Sequence, residues 1–289
     1  VTSSGVDGVR VVVTGSTRGL GLAIAKRLKA AGARVVVNGT DGDRCRSVAT
    51  DLDAVCVPGC VETPGIADAL VDACVTEYGG VDAIINNAGM TRDAMLTRMT
   101  PDDFRSVLAA HVEGAWLVSQ AAVKSMKTAG TGGQIMNLTS GTGLFGNPGQ
   151  SNYAAAKGAI LGMTRALSLE LARFAIDVNA VAPTVKTDMT AGLADALADS
   201  NEDHPPVFGE PEDVAVLFEY LCSPASRGMT GQVLSFDGTQ LSVWSHPRPV
   251  NSFESTWNAD EFGRALGDSS VRQQLNPDRL GQILQGLRV

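Results

Sequence analysis

Residues 9–14, VRVVVT, are nearly continuous in valine. A strand with one wet face would alternate apolar and polar residues, so this run predicts a strand buried on both faces. A helix-length amphipathic stretch follows to about Ala31, and RVVV (34–37) predicts the next strand. Weaker signals place a third strand near 54–57 and a helix from about 64 to 78. VDAIINNAG (81–89) predicts a fourth strand that ends in a polar turn. TPDDF (100–104) is a helix start, with Thr100 as N-cap, Pro101 in the first turn and Asp103 as the capping-box acid. That helix is expected to run to about residue 128.

GGQIMNLTS (132–140) predicts a fifth strand, followed by a long helix to about Phe174. AIDVNAVAP (175–183) gives a sixth strand stopped by Pro183. A helix from Pro211 to Cys222 and a seventh strand in GQVLSF (231–236) complete the series. Seven strands alternating with helices predict a single α/β domain, a doubly wound parallel sheet with helices on both faces. The pattern breaks at SHPRPVNSFES (245–255). The catalytic domain is therefore expected over 1–240, and 241–289 as a C-terminal extension of one or two short helices. Leu280, Ile283, Leu284 and Leu287 are its candidates for packing on the body or on a neighbouring subunit.

Composition narrows the function. The 289 residues are 44% hydrophobic, and 23 basic against 31 acidic side chains give a net charge of −8. That balance argues against a nucleic-acid partner held through phosphates and against a polybasic membrane patch. No apolar run has the length of a membrane span, and the start VTSSGVDG does not read as a secretory signal. The five cysteines, Cys45, Cys56, Cys60, Cys74 and Cys222, have no zinc-like pairing, and no metal site is expected. They read as free thiols of a cytoplasmic protein.

An acidic protein that binds an anion must do so locally. TGSTRGLG (14–21) follows the first strand and opens the first helix. There Gly15, Gly19 and Gly21 allow a tight turn and a close backbone approach to a pyrophosphate, with helix N–H groups supplying positive potential. In SNYAAAKG (151–158), Tyr153 and Lys157 are one helical turn apart and share a face, with only alanines between them.

These motifs, with NNAG at 86–89 and Ser140 thirteen places before Tyr153, resemble the short-chain dehydrogenase/reductase family. The resemblance covers about residues 9–240 and implies a Rossmann-type fold and a nicotinamide cofactor. It implies cofactor contacts from Gly15, Thr17, Arg18, Gly19, Leu20, Gly21, Thr40, Val61, Asn87, Ala88, Gly89, Tyr153, Lys157, Thr184, Val185 and Thr187. An acid just past the second strand would select NAD(H) by bonding its ribose hydroxyls. Here Gly39 and Thr40 stand there, and Arg18 is placed to meet a 2′-phosphate, which favours NADP(H) over NAD(H). Asp41 is the nearby acid that could oppose this. Cys60 replaces the aspartate that relatives usually carry near the adenine.

The family's chemistry assigns Ser140 to the substrate's carbonyl oxygen and Tyr153 to proton transfer. Lys157, together with the positive nicotinamide ring of the oxidised cofactor, is expected to lower the tyrosine's pKa, and Lys157 also to bind the nicotinamide ribose. The fourth member of the relatives' catalytic group is usually an asparagine, and here it is His111. An imidazole there can hold a relay water and would make the rate pH-sensitive near neutrality. NAGMTRDAMLTRMTPDDF (87–104) resembles bacterial 3-oxoacyl-[acyl-carrier-protein] reductases. GNPGQSNYAAAKGAILGMTRALSLELA (146–172) resembles both these and the 3-hydroxyacyl-CoA dehydrogenase domains of multifunctional β-oxidation proteins. Both imply interconversion of a 3-oxoacyl thioester, on carrier protein or CoA, and its 3-hydroxy form. A ketone reductase for steroids, sugars or xenobiotics, and a non-catalytic cofactor sensor, are the alternatives. Thr184, in place of a glycine after Pro183, and the acidic segment 188–208 reshape the expected substrate lid. Relatives' assembly implies a homodimer or homotetramer through the helices near 100–128 and 151–173 and the last strand.

Overall fold

Every strand of the sheet's core sends alternate side chains to opposite layers. Val11, Val13, Val35, Val37, Ile85 and Met136 join one buried cluster, and Val12, Val36, Ile84 and Ile135 join the other. This is why the valine runs carry no polar alternation: both faces are covered. The structure is a computed structural model, and it describes residues 5–186, 208–249 and 251–267.

The strands are β1 (Arg10–Val13), β2 (Arg34–Gly39), β3 (Val55–Pro58), β4 (Ala83–Asn86), β5 (Gly133–Leu138), β6 (Ile176–Pro183), β7 (Val233–Phe236) and β8 (Leu241–Trp244). They form one sheet in the order β3-β2-β1-β4-β5-β6-β7-β8, parallel up to β7. The order reverses between β1 and β4, which opens a crevice at the strands' carboxyl ends. β8 departs from the expectation of seven strands. It returns antiparallel to β7, with Trp244 opposite Val233, so the sheet continues past residue 240. Its residues alternate between exposed and half-buried, an edge pattern rather than a buried run.

One face carries α1 (Gly19–Ala30), α2 (Gly42–Leu52) and, after β6, α8 (Pro211–Cys222); Ile24, Leu28, Cys45, Phe218 and Leu221 fill that layer. The opposite face carries α3 (Ile66–Tyr78), α5 (Gly114–Ala129) and α7 (Ser151–Leu171), through Leu70, Cys74, Val118, Met126 and Leu171. α4 (Pro101–Leu108) begins with the expected capping box: Thr100 Oγ1 accepts from the Asp103 N–H and Asp103 answers on the Thr100 N–H. α4 and α5 are one rod interrupted by a π-turn at Ala109–Glu113. α6 (Gly141–Phe145) is a short helix between β5 and α7. The helix α2 had no counterpart in the hydrophobic pattern, because its surface is polar and only Cys45, Val48 and Ala49 are buried.

The chain divides into two compact units, one of Val1–Asp195 with Val207–Trp244 and one of Ala196–Pro206 with Ser245–Val289. In the second, α9 (Ala259–Gly267) is preceded by Trp257, whose ring stacks on Phe262 at 4.6 Å. The residues expected to pack the tail, Leu280, Ile283, Leu284 and Leu287, lie outside the described residues, as does the lid segment except Phe208. Among the described residues no helix is long and apolar enough to cross a membrane.

Candidate active site

Thr14–Arg18 carry the chain from β1 into α1. Gly15 and Gly19 have φ of +62° and +53°, the left-handed region that favours glycine. A Cβ on Gly15 would lie 2.8 Å from Ala88 Cα, and one on Gly21 would strike the Gly15 carbonyl oxygen. The loop is thus pressed flat on the exit of β4, and hydrogen bonds hold it there. Thr14 Oγ1 accepts from the N–H groups of Asn87 and Ala88 at 3.0 Å each. Asn87 Nδ2 donates to the Thr14 and Gly15 carbonyls at 2.9 Å each. Asn86, one place earlier, donates to Ser119 and Asn137 and knits the sheet to α5.

Asn38 holds the other side, a residue that sequence pattern does not single out. Its Oδ1 accepts from the Gly15 N–H at 3.1 Å, and its Nδ2 donates to the Val57 and Gly59 carbonyls at 3.0 Å. Its only signal is an amide closing a valine run. Thr17 packs its side chain on Gly39, where a Cβ would not fit, and Leu20 is buried beneath. Arg18 is the extended N-cap residue of α1 but does not cap it with its side chain, and the first turn holds no acid. These residues fit a dinucleotide's pyrophosphate: a close-approach backbone at the positive end of a helix.

At the outer end of the crevice, Thr40 is exposed just past β2. Asp41 is committed elsewhere, since its carboxylate accepts from the Asp43 and Arg44 N–H groups at 3.0 Å as the N-cap of α2. Those backbone bonds, Arg44's foremost, hold its pKa below the usual carboxylate value. Val61 turns its side chain into the core against Gly114, leaving only its backbone to face a ligand. On the far side, Thr184 is held by its N–H to Phe236 O (3.0 Å), and Val185 is buried in a bridge with Gly209. Thr187 lies outside the described residues.

At the inner end, α7 brings Lys157 Nζ to 5.5 Å from the centre of the Tyr153 ring. Lys157 is buried, and its ammonium donates to the Leu138 carbonyl at 2.7 Å. Ser140 closes β5 as N-cap of α6, its Oγ accepting from the Thr142 N–H at 3.2 Å. Burial pushes the Tyr153 phenol up to about 12, with the Ser140 side chain acting in the opposite sense. Burial pulls Lys157 down to about 7. In the protein alone, desolvation is the largest cause for both groups and favours their neutral forms.

His111 sits in the π-turn, a helix irregularity common at functional sites. Its Nε2 lies 3.1 Å from the Met90 nitrogen and 2.9 Å from the Met90 oxygen, serving one or the other according to tautomer. Its Nδ1 is buried without a partner. Gly89 packs against the Cε1 end of this ring, where a Cβ would overlap it. Burial, then the charge of Lys157, hold the imidazole's pKa down to about 3. It stays neutral through the physiological range, which corrects the expected pH sensitivity of the rate near neutrality.

The glycine loop, NNAG, Ser140, Tyr153, Lys157 and His111 thus gather at the carboxyl ends of β1, β4 and β5. Known proteins resemble the chain over most of its length. A family model described as Enoyl-(Acyl carrier protein) reductase matches residues 15–238. The chain is 38% identical over 237 residues to the 3-oxoacyl-[acyl-carrier-protein] reductase FabG of Aquifex aeolicus, covering 78% of this chain and 95% of that one. It is 39% identical over 236 residues to the FabG of Chlamydia muridarum, with the same coverage. A crystal structure of a short chain dehydrogenase from Mycobacterium avium superposes with a TM-score of 0.79 at 31% identity, covering 91% of this chain and 95% of that one. With its motifs, its sheet order and these relatives in agreement, the chain belongs to the short-chain dehydrogenase/reductase family of oxidoreductases.

Proposed function

We propose that the protein is an NADP(H)-dependent reductase that converts a 3-oxoacyl thioester into its 3-hydroxyacyl form. The observation that carries this reading is the meeting of Ser140, Tyr153 and Lys157 at the end of β5, beside the glycine loop. A bound dihydronicotinamide supplies the hydride. Gly15, Thr17, Gly19, Leu20 and Gly21 hold its pyrophosphate, Val61 its adenine end, and Asn87, Ala88 and Gly89 one side of the nicotinamide half. Thr184 and Val185 would flank the other side. Ser140 would hydrogen-bond the carbonyl oxygen, and Tyr153 would deliver the proton that this oxygen takes up on reduction. A phenol near 12 is almost wholly protonated at neutral pH, the form a reduction needs. Lys157 in its charged form holds the phenolate left behind and bonds the cofactor's ribose. His111, with its buried open Nδ1, can hold the water that returns a proton to Lys157.

NADP(H) is favoured over NAD(H) because Thr40 is neutral where an acid would repel a 2′-phosphate, and Asp41 is engaged as a helix cap. Arg18 is exposed on the loop beside it. The relatives' names support an acyl-carrier-protein substrate, with acyl-CoA as the competing carrier. Carbonyl rather than double-bond reduction is supported by two hydroxyl groups, Ser140 and Tyr153, converging where one oxygen would bind. A homodimer or homotetramer is supported by the exposed apolar residues Trp116 on α5 and Leu169 on α7. Five free thiols are in keeping with a cytoplasmic location.

The test is NADPH oxidation with acetoacetyl-carrier protein, acetoacetyl-CoA, a steroid ketone and a quinone, using the wild type and Tyr153→Phe. The reading expects turnover of the thioesters and a loss of about 10²-fold or more in the variant, with NADPH still bound. Binding of NADPH with turnover of none of the four would favour a cofactor sensor instead.

A further inference from the structure

The short helix α6 cannot hold its own position. It has five residues, two of them glycine, and no buried side chain, whereas isolated helices need a dozen or more residues to be even marginal. Yet its N-cap is Ser140. Its place must come from its neighbours, and two are present. On one side α7 meets it so closely that a Cβ on Gly143 would lie 2.6 Å from Lys157 Cβ. On the other side stands β8, the strand beyond the expected end of the domain. Trp244 sets its indole edge-on to Phe145, the last residue of α6, with centroids 5.1 Å apart and planes at 62°. The indole is itself fixed, since Nε1–H donates to Ser235 Oγ on β7 at 3.0 Å. Leu144 and Trp244 both pack on the small cluster of Leu161, Ala180 and Val233.

We propose that Trp244 is a positioning residue for the carbonyl site: through Phe145 it clamps α6 against α7 and thereby fixes the hydroxyl of Ser140 relative to Tyr153. The inference rests on the reductase reading for its kinetic consequence, but not for its structural one. β8 is then more than an edge strand. It transmits the rigidity of the sheet to the one catalytic side chain that the sheet and α7 leave on a loop, and Leu144 and Phe145 form the apolar wall beside it.

The test uses the full chain with NADPH bound and compares Trp244→Ala with Trp244→Phe. In the alanine variant, amide exchange at Gly143 and Gly146 is expected to accelerate while that of 151–171 is unchanged. kcat is expected to fall about tenfold with NADPH affinity retained, as misplacement of a reacting group predicts. The phenylalanine variant keeps an aromatic edge for Phe145 and is expected to recover most of kcat. Wild-type exchange at 141–146 in Trp244→Ala overturns the proposal, and so does uniform acceleration across the domain, which would mark a merely structural tryptophan. If Trp244→Ala does not fold, Phe145→Leu replaces it under the same criteria. If the wild type reduces no thioester, the proposed function fails, and local exchange at 141–146 still decides on the clamp.

Discussion

The imidazole of His111 stands edge-on to the ring of Tyr153, centroids 5.2 Å apart and planes at 79°. The contact places a neutral, buried base against the proton-transferring side chain of the proposed reaction. It also explains why the histidine cannot titrate there: a cation would be desolvated and would face Lys157.

That burial sets an acid sensitivity. An unfolded histidine titrates near 6.5 and this one near 3, so between those values the unfolded chain takes up a proton that the native one refuses. The contribution is absent above 6.5 and increasingly destabilising as pH falls toward 3. His111→Asn should therefore lose less thermal stability than the wild type between pH 6.5 and 3.5, and follow it above pH 7. In the same series His111→Ala should lower kcat about tenfold and His111→Asn restore it, with no new pKa near neutrality in either profile.

Lys157 gives the same sign over a different window. Its pKa falls from 10.5 to about 7 on folding, so its cost is full below about 7 and disappears as pH rises toward 10.5. Lys157→Met should raise the melting temperature most at pH 6, and the gain should shrink steadily up to pH 10. Turnover should drop by about 10²-fold or more at every pH, measured with saturating NADPH.

Gly89 and His111 share one space. Gly89→Ala must displace the ring, at a cost of about 1–3 kcal/mol in denaturant unfolding. Combining it with His111→Ala should recover most of that cost, because the second change vacates the volume the first one needs. Strict additivity of the two changes would contradict the packing.

Cofactor choice is tested at Thr40. Thr40→Asp places a carboxylate where the NADP reading puts a 2′-phosphate, and the ratio of kcat/KM for NADPH over NADH should fall about 10–100-fold. An unchanged ratio would move the phosphate site away from the end of β2.

Much of the fold is legible in the order of the residues alone. Buried parallel strands announce themselves as valine runs, and the capping box at Thr100 needs only three residues in order. Features set by long-range packing leave no such mark. α2 is polar on most of its surface, and its cap, Asp41, reads along the chain as a possible cofactor contact. β8 alternates weakly because it lies at an edge. The π-turn has no sequence signature at all. In the site, spacing along one helix points to Tyr153 and Lys157, whereas the raised phenol depends on how much of the fold closes over it. Asn38 is invisible for a similar reason: its partners come from the glycine loop after β1 and from the end of β3.

The surplus residue in the α4–α5 rod marks the stretch where its length can change. A π-turn spends one more residue on a turn than an α-helix does, so the halves on either side of 109–113 keep nearly the phase of a regular rod one residue shorter. Val107 on one side and Val118 on the other are both fully buried, so both halves are keyed to the core and neither can turn freely. A deletion within 109–113 should therefore be tolerated better than one elsewhere in the rod, which would turn one half by about 100° against the other.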